Sequence, residues 1–318
     1  QGAALNSNKA VSIFLNWSNQ ASLNQTNPKC CDYFRTILSI FAMLICGFGI
    51  LGNGMVIWLL GFFMKRKSFT TYILNLAIAD FCFLVVTVSS FIYYFFAEVS
   101  TVIELLFHYT NCMMFTATQF LLTVISVDRC VCVFFPLWHR CHRPTHLSAN
   151  ICALLWIISF LPSGIDFILD INAEQRNYRI TDYLVPVNGF LCFPLMVISG
   201  LMIFSKICYK SKQRRKRKLL ITILITVLFF SIFCFPVSVI LLTFVLFGHL
   251  PHSATVSPLC ACINSSINPL IYYLVGRPTQ RRSNKSMKAI LQKLFTEEEI
   301  CQNQKTGCKT WDYPGTML

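Results

Sequence analysis

The chain carries little charge. Of its 318 residues only 13% are Asp, Glu, Lys or Arg, against roughly 25% in ordinary globular chains. Between Leu105 and Val127 there is no charged residue at all. In their place stand apolar side chains: 55% of the chain is hydrophobic, 14% is aromatic, and the mean hydropathy is +0.59. Lipid is therefore the solvent of most of this protein. Other absences narrow the function. No His-Glu-x-x-His, Gly-x-Ser-x-Gly or phosphate-loop pattern occurs, which leaves an enzyme without its usual machinery. No internal repeat is visible, which argues against repeat-built transporters. The stretch from His252 to Gly276 holds no lysine, so a retinal Schiff base has no amine to form on. Residues 1–30 lack an apolar core, and no cleavable signal peptide is expected within them.

Seven apolar stretches are present, at about 36–62, 69–96, 103–134, 147–169, 183–209, 219–247 and 253–275. Each is long enough to cross a bilayer, which takes roughly 20 residues. Backbone groups in lipid find no water to bond, and the runs are too long and uniformly apolar for barrel strands, so they are read as helices. The expected fold class is an all-α membrane protein, a seven-transmembrane helix bundle. Short connections make one body: a polar extracellular segment over 1–34 and the bundle over 35–276. Beyond it, Met287, Ile290, Leu291, Leu294 and Phe295 recur at helical spacing among basic residues. That pattern predicts a short amphipathic helix over 277–296, lying on anionic membrane lipid. A disordered cytoplasmic tail is expected over 297–318, where Cys301 and Cys308 are either acylated or free thiols.

A net charge of +14 invites a nucleic-acid reading, but its distribution argues for a membrane protein with no nucleic-acid partner. Lys65, Arg66 and Lys67 follow the first stretch, Arg140 and Arg143 follow the third, and seven basic residues crowd 210–218 between the fifth and sixth. The alternate loops hold only Arg176 and Arg179. This positive-inside asymmetry places the amino terminus outside a plasma membrane and the carboxyl terminus in the cytoplasm. Two glycosylation sequons, at Asn16 and Asn24, agree with that orientation. Most of the sixteen cysteines fall within apolar stretches, where they act as small apolar side chains. Cys30 and Cys31 are on the oxidising side, with no disulfide partner that the sequence names.

The few polar groups at bilayer depth are the candidate sites, because burying a charge in lipid is costly. Asp80 stands in the middle of "LNLAIADFCF". Asn53, Thr118, Asn264 and Asn268 lie at comparable depth in other stretches. Together they form either a hydrated cluster holding a monovalent cation such as sodium or a packing network without an ion. No other metal or cofactor is expected; His139, Cys141 and His142 are read as loop residues at the interface. At the other end of the polarity pattern, Asp166 and Asp170 in "FLPSGIDFILD" are four residues apart and share a helix face. Asp182 opens the fifth stretch. Paired acids at the mouth of a bundle suit a cation, although they can also pair internally with Arg176 and Arg179 or face water.

Several of these residues coincide with landmarks of a known family. Gly52-Asn53, "LAIAD" ending at Asp80, Asp128-Arg129, Trp156, Pro194, Pro236 and "NPLIY" ending at Tyr272 occur one per stretch and in order. In this the chain resembles the rhodopsin-like G-protein-coupled receptors. "FPLWHRCHRP" after Asp128-Arg129 and "NSSINPLIYYLVG" are similar to the Mas-related receptors in particular, over about residues 35–295. The resemblance implies that Asp128 holds Arg129 at rest. Outward movement of the sixth helix then frees it to line a cavity for the carboxyl-terminal helix of a heterotrimeric G protein. It places Asn53, Asp80, Thr118, Asn264, Asn268 and Tyr272 in a sodium and activation network. It implies further that Asp166 and Asp182 hold a cationic peptide or small amine, with Asp170 and Glu104 adding negative charge. Sensory detection, in itch or pain pathways, is the implied role.

Two departures bear on the outer face. Glu104 occupies the place of the cysteine that usually bridges the third helix to the second outer loop, and Cys234 replaces the usual tryptophan before the sixth-helix proline. Asp170 and Tyr178 stand where some Mas-related receptors join helices four and five by a disulfide. The chain is thus expected to lack both bridges and to have an open, shallow mouth. Alternatives kept open are an orphan or constitutively active receptor with a non-cationic ligand, and an ion-coupled transporter.

Overall fold

The computed structural model describes residues 28–63, 68–96, 100–135, 142–144, 146–172, 179–209, 221, 224–247 and 257–276. Asn16, Asn24, the basic run 210–218, the helix expected over 277–296 and the tail over 297–318 lie outside the described residues. Among the described residues seven helical elements follow in order. Helix α1 spans Pro28–Trp58 and continues as a π-helical turn, Leu59–Phe63. Then come α2 (Ser68–Phe96), α3 (Thr101–Phe134), α4 (Leu147–Ile171) and α5 (Ile180–Tyr209). Helix α6 contains a π-helical turn, Phe230–Cys234, followed by Phe235–Phe247, and α7 is Ser257–Gly276. Five of them are long and apolar enough to cross a membrane; the sixth contributes the apolar segment Leu224–Ile240. No strand occurs among the described residues.

Helix α3 threads the middle, packed on α2, α4 and α5, while α1 joins α2 to α7, and α6 joins α5 to α7. The centre is filled by large side chains without contact to solvent, among them Tyr72, Phe83, Phe115 and Phe230. The outer faces are just as apolar: Phe41, Leu44 and Phe48 on α1 and Ile157, Phe160 and Ile168 on α4 are exposed. A bundle that is greasy outside as well as inside is stable only in lipid.

Three local features depart from the expected boundaries. Helix α1 begins at Pro28, inside the stretch read as a polar segment. Proline suits a first helical position, because its missing N–H would be unpaired there and its φ is already helical. Helix α5 likewise begins at Ile180, a turn before the apolar run. In α6 the Phe235 N–H reaches the Phe230 carbonyl, five residues back. The next residue, Pro236, offers no N–H, and in a regular α-helix its ring would clash with the carbonyl four residues back, that of Ile232. The widened turn gives that ring room.

Close approach of α1 to α7 depends on glycine. A Cβ on Gly49 would overlap Ser266 Oγ, and one on Gly52 would come within 3.0 Å of Pro269 Cβ. Ser266 donates to the Ile45 carbonyl across the same contact at 3.1 Å. Small residues at helix interfaces permit such packing in membranes. Gly49→Leu is therefore expected to lose at least about 1–3 kcal/mol, the usual range for overpacking, seen as lower surface expression and a lower thermal-unfolding midpoint. Gly47→Leu, where a Cβ meets nothing within 4 Å, is the control. Equal losses in both variants would contradict the close-packing role.

Candidate functional site

Asp80, in the middle of α2, is fully buried. Thr118 on α3 donates to its Oδ1 at 3.0 Å, and Asn268 on α7 donates to its Oδ2 at 2.8 Å. Asn53 does not join them; its amide donates to the carbonyls of Gly49 and Ser265, both at 3.0 Å, which ties α1 to α7. Asn264 is buried beside this contact, and its Nδ2 has no hydrogen-bond partner. The carboxylate makes no ion pair among the described residues. Its negative charge, with hydroxyl and amide oxygens from α3 and α7 nearby, is the donor set that suits a small hard cation. Tyr272 is buried nearer the carboxyl-terminal end of α7, where it lines a small apolar cavity with Phe69, Leu122, Ile125 and Val227.

At the carboxyl-terminal end of α3, Arg129 turns its guanidinium back onto the preceding residue: Nη2 lies 3.0 Å from Asp128 Oδ2. Consecutive residues on a helix do not face each other, so the long arginine stem has to wrap to make this pair. The guanidinium also stacks on Phe69, 3.8 Å from the ring centroid. The side chains are only 5% and 9% exposed, so water and salt screen their attraction less than that of an ion pair in solution. A third charged residue belongs here. Arg143 Nη1 is 2.7 Å from Asp128 Oδ1, and its Nη2 is 2.8 Å from Ser148 Oγ. Sequence reasoning saw Arg143 only as part of a basic flank, since nothing in its spacing points back to Asp128.

At the opposite end of the bundle Asp166 and Asp170 each have partners of their own. Asp166 is fully buried, and its Oδ2 accepts the Thr181 N–H at 2.7 Å and the Thr181 hydroxyl at 2.8 Å. It thereby satisfies an N–H that the first turn of α5 leaves unpaired, and fastens α4 to α5. Asp170 Oδ2 lies 2.9 Å from Arg179 Nε and accepts the Tyr109 hydroxyl at 2.6 Å. One of the two internal pairings open from sequence is thus present. Asp182 lies in the first turn of α5, with its side chain outside the described residues. Glu104 sits half-buried in the first turn of α3, a position where a carboxylate also favours the helix dipole. Tyr109 and Thr181, the partners of these acids, carried no motif by which they could have been found. Cys46, Cys82, Cys130, Cys152, Cys192, Cys234, Cys260 and Cys262 are free thiols. Cys234, in the place of the usual tryptophan, is buried and accepts from Gln119 Nε2 at 3.7 Å.

A seven-helix bundle with a buried intramembrane acid and an Asp-Arg pair closing its central helix has the construction of a membrane receptor. The family model of the 7 transmembrane receptor (rhodopsin family) matches residues 52–272. Among curated relatives, human Proto-oncogene Mas is 34% identical over 288 residues, covering 84% of this chain and 86% of that one. Rat Mas-related G-protein coupled receptor member H is 37% identical over 288 residues, covering 85% and 86%. Member D of Macaca fascicularis is 35% identical over 302 residues, covering 90% and 93%. The chain belongs to the rhodopsin family of seven-transmembrane receptors, in its Mas and Mas-related branch. It is a multi-pass plasma-membrane G-protein-coupled receptor and not an enzyme.

Proposed function

We propose that this receptor binds an extracellular cationic ligand, a basic peptide or small amine, and activates heterotrimeric G proteins by releasing Arg129 from Asp128. The observation that carries the proposal is the buried Asp128–Arg129 pair beside a cavity lined by residues of α2, α3, α6 and Tyr272 of α7. A pair at the end of one helix, beside that cavity, is a two-state element: movement of α6 widens the cavity, and the freed arginine becomes part of its wall. The charge asymmetry of the loops supports an extracellular amino terminus.

The ligand reading draws on Glu104, Asp166, Asp170 and Asp182 at the outer ends of α3, α4 and α5. Asp170 already accommodates one guanidinium, that of Arg179. The same contacts favour a second reading, in which Asp166 and Asp170 only fasten the outer ends of the helices and the ligand is not a cation. A second-messenger screen separates the two: basic peptides and amines evoke responses and neutral or acidic analogues do not, or the preference is absent and the second reading stands.

Asp80, Thr118 and Asn264 would hold a sodium ion through oxygen, with Asn53, Asn268 and Tyr272 linking that site to α1 and the cytoplasmic half of α7. The ion supplies positive charge to a carboxylate that otherwise lacks it. Sodium is then expected to change agonist affinity in the wild type and to have no effect in Asp80→Asn, which keeps the shape and removes the charge. Sodium titration of agonist binding checks this, and parallel curves for the two proteins would return Asp80 to a packing role.

A further inference from the structure

We infer that Arg143 is a positioning residue for the signalling step: it shares Asp128 with Arg129 and lowers the cost of releasing Arg129. The inference rests on the reading of Asp128–Arg129 as the activation latch. Its basis is the division of one carboxylate between two guanidinium groups. Asp128 Oδ2 takes Arg129 at 3.0 Å and Oδ1 takes Arg143 at 2.7 Å. All three side chains are buried, at 9% exposure for Asp128, 5% for Arg129 and 6% for Arg143.

The two arginines are anchored differently. Arg143 is also anchored by elements other than α3 and α6: Ser148 in the first turn of α4 at 2.8 Å, and the Tyr72 hydroxyl of α2 at 3.4 Å. Its guanidinium also lies 6.0 Å from the Tyr72 ring centroid. Arg129 leans instead on the Phe69 ring, which lines the cavity with Thr226 and Val227 of α6. Movement of α6 alters the surroundings of Arg129 and leaves those of Arg143 in place.

Charge physics then fixes the sign. If Asp128 had only Arg129, its departure would leave a buried anion without a counterion, an arrangement that is strongly unfavourable. With Arg143 in place the carboxylate keeps a charge-assisted hydrogen bond after Arg129 leaves. The like charges of the two guanidinium groups also repel each other at rest, and that repulsion ends on release. Both effects favour the released state, so Arg143 promotes signalling although it contacts the same acid that restrains Arg129. Removing Asp128 and removing Arg143 must therefore act in opposite directions.

The test is basal GDP–GTP exchange on a heterotrimeric G protein by the full-length receptor, at matched surface expression and at densities where the wild-type basal rate is measurable. Asp128→Asn raises the rate. Arg143→Gln lowers it by about fivefold, the low end of typical coupling between linked sites, and Arg143→Lys restores part of it. In the Asp128→Asn background Arg143→Gln lowers the rate by clearly less, because the carboxylate that Arg143 would hold is gone and only the repulsion between the guanidinium groups remains. A rate unchanged or raised by Arg143→Gln alone overturns the inference. So does an equal fall in the Asp128→Asn background, which would mean that Arg143 acts through Tyr72 and Ser148 as a structural support. If Asp128→Asn fails to raise the rate, the latch reading itself fails and takes the inference with it.

Discussion

Arg129→Ala is expected to abolish agonist-driven signalling while the receptor still reaches the cell surface, and Asp128→Asn is expected to raise signalling without agonist. The first change removes the group that would line the cavity in the active state. The second removes the charge that restrains it. Their opposite signs follow from one geometry, the 3.0 Å pair at 5% and 9% exposure. A hydrogen bond to a charged group contributes about 1.5–3 kcal/mol. Weakening one that exists only at rest shifts the equilibrium by at most roughly 10- to 150-fold. The observed rise should fall toward the lower figure, because an asparagine side chain at this position keeps the shape and part of the hydrogen bonding. Second-messenger output normalised to surface receptor is the measurement. Wild-type signalling by Arg129→Ala would remove Arg129 from the mechanism.

The second large effect is expected at the mouth. Asp182→Asn should lower the potency of a cationic agonist by about 30-fold, the weak end of the 2–5 kcal/mol lost when a buried charge pair loses one partner. The open mouth expected from the sequence favours the weak end, and raising the salt should shrink the effect further, since the Debye length is about 8 Å at physiological ionic strength. Asp166→Asn should act twice. It weakens the negative field and also loosens the hold of Asp166 on the Thr181 N–H and hydroxyl, a helix cap usually worth about 0.5–2 kcal/mol. The two substitutions together should fall short of the sum of the single losses, as for groups sharing one site. Potency of a basic peptide across the single and double variants, at equal surface expression, reads this out. Unchanged potency in Asp182→Asn would favour the reading in which these acids serve only the fold.

Much of the architecture was legible because lipid makes simple demands. A helix in a bilayer needs a long apolar run, and seven such runs stand out in the composition. The Asp80 contacts were legible for a related reason: few polar groups occur at that depth, so Asp80, Thr118 and Asn268 had few alternatives to one another. Asn53 shows the limit, since depth placed it near Asp80 but its amide bonds the α7 backbone instead. Where the chain leaves the lipid the constraint disappears. Nothing in the run of residues shows that α1 begins at Pro28, that Arg143 returns from a loop to Asp128, or that Thr181 takes Asp166. Those contacts depend on where short connections place the helix ends, which no periodicity records. The π-helical turn before Pro236 was hidden in the same way, because proline predicts a disturbance but not its form.

The most direct measurement is GDP release from a purified heterotrimeric G protein by this receptor, purified and reconstituted in lipid vesicles, with Arg129→Ala prepared in equal amount. Release by the wild type should rise with receptor density and rise again with a basic peptide agonist, while Arg129→Ala gives the receptor-free rate under both conditions. Equal release by the two proteins, or a wild-type rate that stays at the receptor-free value with every class of heterotrimer, would contradict signalling through a released Arg129.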